Sequence, residues 1–108
     1  MKTTLTNGEP VTPDHKDIIQ DGERKGQQKG YVVLSDEERE KGFVRPLRNS
    51  YVHEVCGSIT VMGRSIAETY ACDPYFYTGT FCSGCGSHFP VGENGEFLWN
   101  GTDEKVGT

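Results

Sequence analysis

Residues Thr80–Pro90 read "TFCSGCGSHFP". Cys82 and Cys85 stand three apart, with Gly84 and Gly86 on either side of the second. A C-x2-C step across a tight turn presents two thiolates to one point. It also leaves backbone N–H groups free to face the sulfurs, in a conformation that commonly needs glycine. The same spacing serves redox enzymes and disulfide frameworks, so its meaning depends on what surrounds it.

Upstream, Tyr51–Gly57 reads "YVHEVCG". His53 and Cys56 show the same two-residue gap, and a glycine again follows the cysteine. Together the pairs make H-x2-C-x25-C-x2-C. Each pair lies between strand-like segments. The pattern predicts two zinc-knuckle hairpins facing one another, with zinc held by His53, Cys56, Cys82 and Cys85. Thiolates favour zinc over hard cations, and four closed ligands favour a structural over a catalytic site. The spacer exceeds the usual range of about 15–20 residues. A helix expected over residues 63–72 accounts for the excess.

Two further residues compete for the fourth position. Cys72 stands alone beside Asp73-Pro74 and reads as a small buried thiol in the helix's last turn. His88 completes a C-x2-C-x2-H run, but it opens the strand-like "HFPV", which turns its side chain away from the knuckle. His15 lies in a polar segment and reads as solvated.

Other chemistries fit less well. A thioredoxin-type dithiol needs a helix directly after C-x-x-C, and here glycine and "HFPV" follow. Four cysteines suit disulfides, but "MKTTLTNGEPVTPDHKD" has no apolar signal-peptide core, so the expected compartment is the reducing cytoplasm. No apolar run approaches the roughly 18 residues of a membrane span, and no membrane partner is expected. A hydrolytic metal site needs an open coordination position and a base. Glu54, inside the first knuckle, is the candidate base and reads as an exposed acid.

The rest of the chain suits a small metal-stabilised domain. Its 108 residues are 33% hydrophobic, below the roughly 45–50% of an average globular domain, a figure that also counts glycine. Small scaffolds with so little to bury commonly use a metal or disulfides. The net charge of −5 is uneven: residues 53–108 carry seven acids against Arg64 and Lys105, while the rest balances. A nucleic-acid binder would show the opposite sign on its cysteine-bearing half.

Residues 1–30 are poor in sizeable aliphatics and read as a flexible N-terminal arm, with docking of "KDIIQ" as the alternative. From Tyr31 onward "YVVL" is strand-like. Ser35 followed by Glu38 is a capping-box signature, and Gly42 a helix stop. Pro46 limits its segment to an edge or loop. Ile59 and Val61 alternate as in a strand. Met62, Ile66 and Tyr70, with Ala67 and Ala71, share one helical face. Asp73-Pro74 marks a helix start or a turn. "YFYTGTF" is strand-like, and Asn94-Gly95 predicts a type I′ hairpin between "HFPV" and "EFLW". Tyr75, Phe76, Tyr77, Phe81, Phe89, Phe97 and Trp99 are the expected core.

Residues 31–108 resemble a group of short zinc-ribbon-like proteins of bacteriophages and prophages. The resemblance rests on "YVVLSDEE", "KGFVRPLR", "YVHEVCG", "AETYACDPYFYTGTFCSGCGSHFP" and "WNGTDEKVGT". Those proteins have no assigned activity, so the resemblance implies a phage-encoded protein of the host cytoplasm. Cys72 departs from it, since arginine is expected in "YA-x-DP".

The expected fold is small and mainly β with a short helix: a zinc ribbon over 31–108 plus the arm over 1–30. The expected function is a non-enzymatic interaction module for a host or phage macromolecule, such as an inhibitor of a nucleic-acid-handling protein. Its candidate surfaces are "VRPLR" at residues 44–48, exposed aromatics and the acidic ribbon, which suits a basic partner. The alternative is direct nucleic-acid binding through Lys16, Arg24, Lys25, Lys29, Arg45 and Arg48, and the third reading is a metal-dependent enzyme.

Overall fold

The computed structural model describes residues 2–108, and the short apolar runs become short strands. These are β1 (Thr3–Leu5), β2 (Val32–Leu34), β3 (Ser50–His53), β4 (Ile59–Val61), β5 (Gly79–Cys82), β6 (Ser87–Pro90) and β7 (Phe97–Trp99). Two helices accompany them, α1 (Asp36–Glu40) and α2 (Arg64–Cys72). The protein is small and mainly β. Its strands form three sheets: β1-β2, β4-β3-β7 and β5-β6.

Local chemistry explains the helices. Ser35 adopts an extended conformation and its side chain accepts the Glu38 N–H, as the capping signature predicts. Gly42, at φ +115°, ends that turn where a side chain would be strained. Helix α2 buries Ala67, Tyr70 and Ala71, with Met62 just before it on the same side. Asp73-Pro74 is a turn: Asp73 Oδ1 accepts the Tyr75 N–H at 3.2 Å, and the Asp73 carbonyl accepts the Phe76 N–H at 3.1 Å.

The core sits where the three-stranded sheet meets α2. On β3, Tyr51 and His53 face inward; on β7, Phe97 and Trp99 do the same. The register sets Tyr51 opposite Trp99 and His53 opposite Phe97, so the four rings share one face. Tyr70 of α2 meets Trp99 edge to face at 5.4 Å, and Tyr51 meets Phe97 the same way at 5.3 Å. Cys82 and Val106 complete the cluster.

Several expectations need correction. The Asn94-Gly95 hairpin does not form. β6 stays with β5 while β7 crosses to β3. Gly92, not Asn94, takes the positive φ (+106°), and no non-glycine residue among the described residues does. Gly95 is needed for close approach instead, because a Cβ there would lie 2.5 Å from the Val91 carbonyl carbon. Of the seven aromatics expected as core, only Phe97 and Trp99 are fully buried. Tyr77 and Phe89 pack against the core and Tyr75 is exposed, while Tyr51 and Tyr70, absent from that set, are buried.

The expected arm is laid along the domain. β1 pairs antiparallel with β2, Thr3 opposite Leu34. Ile18, in "KDIIQ", bridges Gln28. Gly26 rests against the second knuckle so closely that a Cβ would come within 2.3 Å of the Gly86 oxygen. The "VRPLR" segment splits. Val44 and Leu47 are exposed, but Arg48 lies 4.7 Å over the Trp99 ring and 3.3 Å from Glu104. Arg48 is a packing residue.

Phe97 is the test of this core, since it touches both Tyr51 and His53. Phe97→Ala is expected to lower stability by about 3–5 kcal/mol. Urea denaturation followed by Trp99 fluorescence measures it, and a loss below about 1 kcal/mol would be inconsistent with full burial.

Candidate metal centre

Each knuckle is the turn of a hairpin. In the first, β3 ends at His53 and β4 begins at Ile59. The Gly57 N–H donates to the His53 carbonyl at 2.7 Å, with Gly57 at φ +75°. In the second, β5 ends at Cys82 and β6 begins at Ser87. The Gly86 N–H donates to the Cys82 carbonyl at 2.8 Å, with Gly86 at φ +67°. The glycine after each candidate cysteine thus closes the same kind of turn. The Cys85 N–H points at Cys82 Sγ, 3.4 Å away.

The hairpins are held together beside the site. Thr60 Oγ1 lies 3.0 Å from Ser83 Oγ and accepts the Ser83 N–H at 3.0 Å. Gly84 sits against Ser58, where a Cβ would come within 2.0 Å of Ser58 Oγ. The second knuckle therefore needs its glycine for close approach to the first.

These contacts bring four donor atoms together. One atom each from His53, Cys56, Cys82 and Cys85 lies within 4.8 Å of all the others. His53 Nδ1 is 3.4 Å from Cys56 Sγ and 3.6 Å from Cys85 Sγ, and Cys56 Sγ is 3.5 Å from Cys82 Sγ. A tetrahedral ion with metal–sulfur bonds of about 2.3 Å and a metal–nitrogen bond of about 2.0 Å has sulfur–sulfur edges of about 3.8 Å and nitrogen–sulfur edges of about 3.5 Å. These three edges agree with that to a few tenths of an ångström, and the other three lie within 4.8 Å. All four cysteines are free thiols. The group can hold a metal ion.

The histidine is prepared for that role. It is 1% exposed, and its ring packs against Phe89 (centroids 4.5 Å apart) and Phe97 (4.7 Å), which are themselves 6.5 Å apart. Nε2 lies 2.8 Å from Glu96 Oε1, so the proton sits on Nε2 and the Nδ1 lone pair faces the sulfurs. A carboxylate behind a ligating imidazole is the usual outer partner of a metal-bound histidine. Burial works against the charged ring, but the Glu96 and Cys56 hydrogen bonds outweigh it and hold its pKa above the ordinary value.

The thiols are held close enough to perturb one another. Cys56 is drawn down to about 6, first by the Ser58 side chain and then by the Ser58 backbone. Cys85 is pushed up to about 11, chiefly by its hydrogen bond with Cys56, then by burial and Cys82. Sulfurs this close resist ionising together, and a bound cation reverses that repulsion.

The rivals for the fourth position lie elsewhere. Cys72 Sγ faces the Arg39 carbonyl at 3.6 Å, and burial pushes its thiol up. His88 Nε2 is 2.9 Å from the Tyr31 hydroxyl, and burial lowers its pKa. His15 Nδ1 meets the Thr12 carbonyl at 2.8 Å. Glu54, the candidate base, is paired with Lys105. The residue that sequence reasoning missed is Glu96. It lies 43 positions from His53, and no local spacing could have linked them.

Two substitutions probe this geometry. Glu96→Ala should weaken metal binding about 10–100-fold while Glu96→Gln, which keeps an acceptor for Nε2–H, retains most of it. Gly84→Ala should force the knuckles apart and weaken the site with all four donors still present. Competition against a chromophoric chelator measures both; unchanged affinity in Gly84→Ala would refute the close approach.

No family model matches the chain, and no match was found among curated proteins or solved structures.

Proposed function

We propose that His53, Cys56, Cys82 and Cys85 hold one structural zinc ion, and that the chain is a zinc ribbon acting as a non-enzymatic interaction module. The observation that carries this reading is the four-donor group with tetrahedral edges, split evenly between two hairpin turns. Three sulfurs and one imidazole are a standard structural zinc set. Four protein ligands leave no position for a catalytic water, and the candidate base Glu54 is engaged by Lys105. When bound, the ion contributes to folding free energy by joining the two hairpins.

The interaction role is supported by charge. The module is acidic and carries its excess on residues 53–108. Glu93, Asp103 and Glu104 are exposed. That surface suits a basic protein, such as a nucleic-acid-handling enzyme whose cleft it occupies. The phage-like motifs of residues 31–108 support a phage-encoded origin and a host or phage partner in the host cytoplasm. Direct nucleic-acid binding is the second reading. Two of its six cations are already engaged, Lys29 with Asp14 and Arg48 with Glu104.

Purified protein is expected to contain about one zinc per chain. His53→Ala should lose most of it and His53→Cys retain it, since four-cysteine sites suit zinc equally. Cys72→Ser and His88→Gln should leave it unchanged. Zinc retained in His53→Ala but lost in Cys72→Ser would move the fourth position and refute the assignment. Nucleic-acid binding with a steep salt dependence would favour the second reading.

Zinc affinity should fall with pH. The metal-bound site excludes protons from all four donors, whereas the metal-free site takes them up on His53 and the thiols as pH drops. Acidification therefore favours the metal-free form, and His53, whose pKa is raised, adds to this above the usual imidazole range. Chelator competition between pH 8 and pH 5 measures it, and a flat profile would argue against thiolate and imidazole ligation.

A further inference from the structure

A cleft of about 400 Å³ is lined by none of the four donors, though Thr60 and Ser83 beside them border it. One wall is the flank of β4 and β5, another the start of α2, and the third comes from the N-terminal segment through Arg24, Gln27 and Tyr31. Its volume is in the range of small-molecule sites. Its lining has two marked properties.

The first is its aromatic and aliphatic side. The rings of Tyr31, Phe81 and Tyr77 border it, with Ile59, Val61 and Ile66. Ile59 and Val61 are exposed at its edge, the arrangement of an unfilled apolar site.

The second is charge. The chain carries 16 acids against 11 bases, yet no Asp or Glu lines this cleft and Arg24 does. Arg24 donates only to the Gln28 carbonyl, at 3.3 Å, and meets no carboxylate within ion-pair distance among the described residues. Gly63, Ser65 and Ile66 of the α2 N-terminus also border the cleft. That terminus has no side-chain cap and no acid in its first turn, so its N–H groups add positive potential. Tyr70, buried among the lining residues, has a hydroxyl with no hydrogen-bond partner.

We infer that this cleft binds a small aromatic carboxylate, its ring among Tyr31, Phe81 and Ile66 and its carboxylate towards Arg24. A flat apolar body matches the ring-lined walls. A planar anion matches the guanidinium fork, which accepts a carboxylate through two parallel hydrogen bonds.

The test uses the full-length zinc-loaded protein with 2-naphthoate and its neutral analogue 2-naphthamide, followed by amide chemical shifts. Naphthoate should shift the amides of Ile59–Gly63 and Gly79–Phe81 saturably, about threefold to fivefold more tightly than naphthamide, the range of one exposed ion pair. Arg24→Gln, on an exposed side chain, should bring the two ligands to equal affinity. Ile66→Trp should fill the cleft and abolish both, with the dispersion of its spectrum reporting that it is folded. Equal binding of acid and amide to the native protein, shifts centred elsewhere, or an undiminished preference in Arg24→Gln would each overturn the proposal.

Discussion

The imidazole of His53 joins the two parts of this protein. One nitrogen faces three sulfurs and the other donates to Glu96. Its ring packs against Phe89 and Phe97, one from each of two sheets. The side chain that completes the donor group is thus also part of the aromatic core. These ring contacts and the Glu96 hydrogen bond hold the imidazole with Nδ1 towards the sulfurs.

The core around it is thin and aromatic. Much of what closes it comes from the end of the chain, which folds back: the Val106 N–H donates to the Phe97 carbonyl at 3.0 Å, and the Gly92 N–H to the Val106 carbonyl at 2.7 Å. Val106 is fully buried. The three sheets are small, and the hairpins bearing the donors meet through Thr60–Ser83 and Gly84–Ser58, through the Tyr51 hydroxyl on the Phe81 carbonyl, and through the His53 ring on Phe89. A metal held by the four donors would add a further bridge between those hairpins.

Charge is distributed with a similar division. Most cations are tied to carboxylates, as in Arg39–Glu68 and Lys105–Glu54. The acidic excess faces solvent, and the ring-lined cleft between the N-terminal segment and α2 is free of acids. The surface therefore has two unlike faces, one acidic and one without carboxylates.

Local spacing made the donor pairs legible. His53-x2-Cys56 and Cys82-x2-Cys85 each lie in one tight turn, and the glycine after each cysteine takes the positive φ that the turn demands. The Ser35 cap and the apolar face of α2 were legible for the same reason, since each depends on residues three or four apart. Contacts between distant segments were not. The Asn94-Gly95 signal describes a turn, but it carries no information about β3, whose inward Tyr51 and His53 offered β7 a better partner than β6. Glu96 met His53, Arg48 met Trp99, and Gly26 met Gly86 only once those sheets were in place. Spacing along the chain governs what one turn can present. Which turns face each other is governed by how few ways a small set of aromatic rings can be buried together.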